Sequence, residues 1–528
     1  MMKPVLPLLL TLVGCSGTDH AADVDAGADA GVDPCATTVT ARPGTVITTH
    51  GPVTGSPPVD GVWSWKGIPY AAPPTADLRW RAPAPPACWT EERATTAFGA
   101  MCPQLDSNGV VVGEEDCLTL NVWAPDGATD APTMVFIHGG GNTLGSTSDP
   151  LYDGAALAKK TGAVVVTLEY RLGALGYFAN PALDAESEHH VSGNYGILDQ
   201  IEALKWVKTN IAGFGGSSAH VLLFGESAGG QNTLIHVASP LSAGLFSAAV
   251  AESGGSYRDT LADNETAHQQ VVTAAACTTA SDVASCMRAA PATVLAAIPT
   301  AASPIASGLH YTPSIDGYVI PDYVPTVIAQ GQHNKVPLVV GTNADETSRM
   351  VPQVTTDTAY RAAVISMYGT AGGNALLALY PSTSYASPQK ALIRVTTDVM
   401  WTCPMRTLAR AASEHQTPPV FRYRFQWSAP GVGGALIGAT HGIELPFVFG
   451  NFAGFTTFTP SASDLALSTA IEGYWSRFAG SGDPNGGSAL MWSPYTSATD
   501  PYLALDTTIS MDAGLATSQC DAIDALSR

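Results

Sequence analysis

An α/β fold, with a mostly parallel sheet and helices on both of its faces, is predicted by three features of this 528-residue chain. Strand-like apolar runs alternate with segments of helical period: Thr133 to Ile137, Ala163 to Glu169, a helix near Gly196 to Ile211, and His220 to Phe224. Ile197, Ile201, Leu204, Val207 and Ile211 form one apolar stripe at helical spacing, which marks a helix packed on a core. Beyond Trp89 no long linker or internal repeat interrupts the pattern. Length alone would divide such a chain into about three domains.

Taken in order, Met1-Met2-Lys3 is a basic start, and Pro4 to Val13 is an apolar run too short to span a bilayer. Together they read as a signal peptide over residues 1–14. The run ends Leu12-Val13-Gly14-Cys15, which resembles the bacterial lipobox. That resemblance implies lipid attachment at Cys15, and Ser16 after it points to the outer membrane. If Cys15 is not lipidated, the expectation is a secreted protein. Residues 15–34 are rich in Ala, Asp and Gly and read as a flexible acidic tether to a single domain over 35–528. Nine cysteines are present, and setting Cys15 aside leaves an even set suited to four disulfides in an oxidising compartment.

From Cys35 to Trp89 the chain is β-rich, with strands expected at Thr45 to Val53 and Val62 to Ile68 and breaks at Pro57, Pro69, Pro73 and Pro83. A helix is expected from Ala228 to Ser239, because no proline occurs before Pro240. Beyond residue 260 the sequence turns Ala/Thr-rich and helical in tendency, with later strands at Val336 to Val340 and Val420 to Trp427. Inserted helices of this kind are expected to be cap-like. The net charge is −21, from 45 acidic and 24 basic residues, which argues against nucleic acid and anionic lipid as partners.

Phe224-Gly225-Glu226-Ser227-Ala228-Gly229-Gly230 lies between a predicted strand and a predicted helix. Glycine two residues either side of a serine in that setting is the nucleophile-elbow pattern, in which a strained turn pushes the hydroxyl outward. A serine needs a base and a carboxylate to orient the base. His441 follows a strand, and Asp345 and Glu346 begin where the Val336–Val340 strand ends, so spacing leaves both carboxylates open. His138-Gly139-Gly140-Gly141 follows the Thr133–Ile137 strand and leaves backbone N–H groups free to meet an oxyanion, with the N–H of Ala228 as a third donor. The order serine, acid, histidine is that of an α/β-hydrolase.

These segments, together with Gly67-Ile68-Pro69-Tyr70-Ala71, Glu115 to Asn121, Gly193 to Gly196, Ala203 to Val207, Phe214-Gly215-Gly216 and Pro446 to Gly450, resemble the type-B carboxylesterase/lipase family, which includes cholinesterases and para-nitrobenzyl esterases. They run from about Trp63 to Cys520. The resemblance implies one large α/β-hydrolase domain rather than three. It implies a serine carboxylic-ester hydrolase for small-molecule esters, working through an acyl-enzyme with no metal or cofactor, and the absence of Trp, Tyr and Phe from Pro103 to Asp116 points to neutral esters. Ser227 would be the nucleophile, His441 the base and Glu346 the acid, with Gly140, Gly141 and Ala228 as oxyanion donors and Glu226 and Ser253 beside them. It also implies the disulfides Cys102–Cys117, Cys277–Cys286 and Cys403–Cys520, which leaves Cys35 with Cys88. A lipase acting on aggregated lipid, an amidase or a carbamate hydrolase would use the same triad, and related adhesion modules lack the serine. The chain departs from the family pattern at three places. Ser217-Ser218 replaces Asp-Pro, so a charge partner for Arg171 is expected to be missing; Asn142 replaces an aromatic; Thr347 replaces a glycine.

Overall fold

The computed structural model describes residues 35–526 except 256, 302, 304 and 454–457. The expected signal peptide, Cys15 and the tether lie outside the described residues. Eleven strands form one sheet: β1 (Ser56–Val59), β2 (Val62–Pro69), β3 (Thr119–Pro125), β4 (Ala131–Ile137), β5 (Val164–Leu168), β6 (Gly216–Glu226), β7 (Ala248–Glu252), β8 (Leu338–Asn343), β9 (Val420–Phe425), β10 (Pro501–Leu505) and β11 (Ser510–Ala513). Their spatial order is β1-β2-β3-β5-β4-β6-β7-β8-β9-β10-β11. Strands β4 to β10 run parallel to one another, and antiparallel strands close both edges.

The central strands are apolar without alternation, as β5 shows: every residue of Val-Val-Val-Thr-Leu is buried. A strand covered by helices on both faces selects this composition. One face packs on the helix Tyr195–Asn210, whose Ile197, Ile201, Leu204 and Val207 are all buried, and the other on the helix Ala462–Ser481 through Leu467, Ile471, Trp475 and Phe478. The helical segments 261–296 and 357–415 are inserted between β7 and β8 and between β8 and β9.

Several elements differ from their sequence reading. The expected strand Thr45 to Val53 is a hairpin, Thr45–Thr48 with Gly51–Thr54, because the chain turns at Thr49-His50. Strands β1, β3, β7, β10 and β11 go beyond the sequence reading; β1 contains Pro57, where a break is expected, and lies at the sheet edge, while β7 is Ala-Ala-Val-Ala-Glu, too poor in β-branched residues to announce itself. Four disulfides join Cys35 to Cys88, Cys102 to Cys117, Cys277 to Cys286 and Cys403 to Cys520, a set that suits an exported protein.

Arg171 does have a charge partner. Its Nε donates to Asp199 Oδ2 at 2.8 Å and its Nη2 to Asp199 Oδ1 at 2.7 Å, with both side chains buried. The expectation of a missing partner is therefore wrong: a carboxylate from the helix Tyr195–Asn210 does the work expected of the Asp-Pro pair. Removing one member of a buried pair strands the other charge, at a cost of about 3–5 kcal/mol. Asp199→Ala should lower stability by that amount in urea unfolding, and an unchanged midpoint would show that the pair contributes nothing.

Candidate active site

The parallel strands end together. Gly225 pairs with Ile137, Glu226 with Glu252, and Glu252 with Gly341, so the C-terminal ends of β4, β6, β7 and β8 form one edge. Groups that follow those ends meet outside the sheet, where open α/β sheets hold their ligands.

Ser227 stands between β6 and the helix Ala228–Ala238 with φ 59° and ψ −122°. A non-glycine residue held there costs about 1–3 kcal/mol, so the surroundings must enforce it. The Ser227 N–H donates to Glu252 O at 3.0 Å, and the glycines allow a very close crossing. A Cβ on Gly229 would stand 2.0 Å from Ile137 O, and one on Gly225 would stand 2.5 Å from the Gly229 backbone. Ser227 itself is half-buried.

The loop after β4 lies against this turn, since a Cβ on Gly139 would be 3.0 Å from Ser227 Cβ. Its backbone is held from behind. Tyr170 Oη donates to His138 O at 2.8 Å, and Gln104 bonds both the N–H and the carbonyl of Gly145 at 2.8 Å. Gly140 has φ 109° and its Cβ would meet Leu144 O at 2.0 Å, so only glycine fits. Among the described residues the N–H groups of Gly140 and Gly141 have no acceptor. Ala228 begins its helix, where the first N–H groups also lack intrahelical acceptors.

His441 Nδ1 is 2.6 Å from Glu346 Oε2. Glu346 is fully buried, and its other oxygen accepts from the N–H of Asn343 and from Ser253 Oγ, each at 2.7 Å. Asp345 turns away to Lys390 at 3.3 Å, so of the two carboxylates Glu346 is the one that reaches the imidazole. Among the described residues His441 Nε2 has no hydrogen-bond partner, the Ser227 hydroxyl included, and Glu226 Oε1 lies 3.3 Å from it. Trp401, from the second helical insertion, packs its ring 5.2 Å from His441 and donates Nε1–H to Ser253 O at 2.9 Å.

Two further carboxylates complete the site and were not singled out in the sequence. Glu444, three residues after His441, accepts from Asn343 Nδ2. Glu252, next to Ser253, accepts from Trp475 Nε1 at 2.7 Å. Adjacency to two candidate residues was the signal for both; nothing local pointed to Trp401. Burial pushes Glu252 up to about 8 and holds Glu444 well above the usual carboxylate range, aided by the neighbouring glutamates. Burial also raises Glu226, against the pull of His441. For His441, burial works downward, but Glu226 and Glu346 outweigh it and the imidazole is raised.

Residues 36–523 match the family model of the carboxylesterases. The chain belongs to the carboxylesterase family. It is 38% identical over 454 residues to the fumonisin B1 esterase of Sphingopyxis macrogoltabida, covering 82% of this chain and 81% of that one. It is 35% identical over 496 residues to the para-nitrobenzyl esterase of Bacillus subtilis (strain 168), covering 88% and 96%. A solved PNB esterase structure superposes with a TM-score of 0.78 at 33% identity, covering 91% of this chain and 99% of the other. This carboxylesterase therefore has the α/β-hydrolase fold and is a carboxylic ester hydrolase.

In the carboxylesterase, the Glu226 carboxylate is the largest upward influence on His441. A nearby anion stabilises the imidazolium, so removing it lowers the pKa. Glu226→Gln should shift the His441 titration to lower pH when followed by NMR of the imidazole protons. A shift upward, or none, would show that Glu226 is not charged in the titrating range.

Proposed function

We propose that this carboxylic ester hydrolase acts through Ser227, His441 and Glu346 by an acyl-enzyme route on neutral small-molecule esters. The observation that carries the reading is the strained turn at Ser227, whose neighbour Glu226 lies 3.3 Å from one nitrogen of an imidazole whose other nitrogen is 2.6 Å from a buried carboxylate. His441 Nε2, free of other hydrogen bonds among the described residues, takes the serine proton as Oγ attacks the ester carbonyl carbon. Catalytic hydrogen bonds of this kind are long in unliganded enzymes and tighten when substrate arrives. The carbonyl oxygen becomes an oxyanion facing the N–H groups of Gly140, Gly141 and Ala228. His441 returns the proton to the leaving alcohol, and water repeats the cycle to free the acid. Glu346 holds one tautomer throughout and stabilises the imidazolium.

Ser227→Ala should lose at least about 10³-fold in kcat, and an organophosphate should label Ser227 stoichiometrically in the wild type. Alongside it, Glu346→Gln should cost far more activity than Asp345→Asn. Near-normal turnover by Ser227→Ala, or the reverse ranking of the two acid variants, would overturn the assignment.

Choline esters are expected to be no better than neutral ones. A quaternary ammonium is held by the face of an aromatic ring, worth about 2 kcal/mol when desolvated. In the cholinesterase branch of the resemblance a tryptophan supplies that face from the loop closed by the first bridge. Here the loop between Cys102 and Cys117 carries no Trp, Tyr or Phe, and it folds as the small hairpin Gln104–Leu105 with Val111–Val112. The acidic net charge of −21 attracts any cation only diffusely, and salt screens it. Acetylthiocholine should show kcat/KM no higher than its uncharged carbon isostere at physiological ionic strength. A tenfold preference for the cation would reveal a binding ring elsewhere.

A further inference from the structure

Asn142 stands directly after Gly140-Gly141, where the family resemblance leads one to expect an aromatic ring. It is fully buried, with φ 58°, a left-handed backbone that asparagine tolerates better than most residues. Every polar group it has beyond its own N–H is engaged. Its carbonyl accepts from the N–H of Gly173 at 2.7 Å. Its Oδ1 accepts from Asn232 Nδ2 at 2.9 Å and from Tyr177 Oη at 3.2 Å, and its Nδ2 donates to Tyr257 Oη at 3.3 Å.

Asn232 is the key partner. It lies, also fully buried, in the helix Ala228–Ala238, one turn beyond Ala228. The Asn142–Asn232 bond therefore joins the glycine loop that carries two candidate oxyanion donors to the helix that carries the third. No other side-chain hydrogen bond among the described residues links residues 139–144 to this helix. An aromatic ring at position 142 has no oxygen to accept the Asn232 amide hydrogen, so the pair works only as a pair.

We infer that Asn142 and Asn232 are positioning residues: their amide–amide hydrogen bond sets the spacing between the Gly140-Gly141 donors and the Ala228 donor. The inference rests on the acyl-enzyme reading above. Donors aimed at a developing charge act only when their geometry is set beforehand, because a donor that must reorient during the reaction loses its advantage. A displacement of about 1 Å at such a site costs on the order of a hundredfold in rate. A buried amide hydrogen bond supplies that rigidity, since water cannot replace it. The bond touches no substrate atom, so its loss should appear in kcat rather than in KM.

The test uses the full-length enzyme with a p-nitrophenyl ester and a trifluoromethyl ketone, which adds to the serine and places a charged oxygen in the hole. Asn232→Leu leaves the glycine loop's own sequence intact and suits a helix. It should lower kcat about 10- to 100-fold with KM within about twofold, and weaken the ketone by a similar factor. Asn142→Gly keeps the left-handed backbone while deleting the amide, and should behave alike. The double variant should lose no more than the worse single one, as expected when both changes remove one bond. If either variant fails to fold, Tyr177→Phe removes only the hydroxyl that donates to Asn142, and should still lower kcat several-fold with the melting temperature little changed. A purely structural role would lower the melting temperature and leave the ketone-to-substrate affinity ratio unmoved. An Asn232→Leu enzyme with wild-type kcat, additive losses, or an effect confined to KM would overturn the inference. Failure of the ketone to inhibit the wild type, or an active Ser227→Ala, would instead overturn the acyl-enzyme reading beneath it.

Discussion

The helix Ala228–Ala238 leaves the sheet so close to β4 that no side chain fits between them, and the rest of the site follows from this contact. The carbonyl of Ile137 lies where a Cβ of Gly229 would be, and Gly225 faces the Gly229 backbone. The chain can make this crossing only through a left-handed residue, and Ser227 occupies that position. The helix N-terminus and the loop after β4 then have to lie side by side. The strain at Ser227 is small beside the many contacts that a buried helix makes with β4, β6 and β7, so the fold can hold it.

Around that turn the site gathers four buried glutamates. Glu226 and Glu252 are paired in register on adjacent strands, with Glu346 and Glu444 close by, and His441 lies 3.3 Å from Glu226 and 2.6 Å from Glu346. Burial raises the proton affinities of Glu252 and Glu444, and neighbouring carboxylates add to the rise. Glu346 is bonded by an N–H, a hydroxyl and the imidazole together.

The walls of the site come from parts of the chain far apart in sequence. Glu169, at the end of β5, accepts from Ser146 Oγ, Thr147 N and Thr147 Oγ1 through one oxygen and so fixes the far end of the glycine loop. The insertion between β8 and β9 brings Trp401 against His441. In Arg171 the same logic appears in a structural role, because its partner Asp199 comes from a helix and not from the segment where the family pattern places a charge.

What the sequence by itself determined is what depends on neighbours along the chain. The glycines around Ser227 announce a tight turn because steric exclusion acts within five residues, and the stripe from Ile197 to Ile211 announces a buried helix because helical period is local. The ordered motifs sufficed for the family. Tertiary structure decided the choice of Glu346 over Asp345 at the imidazole, the pairing of Arg171 with Asp199, and the placement of Trp401. It also decided that Ala248–Glu252 is a strand, since alanine has little preference of its own and takes its conformation from the strands on either side. Each of these turns on which groups lie within a few ångströms across the sheet, and spacing along the chain does not carry that distance.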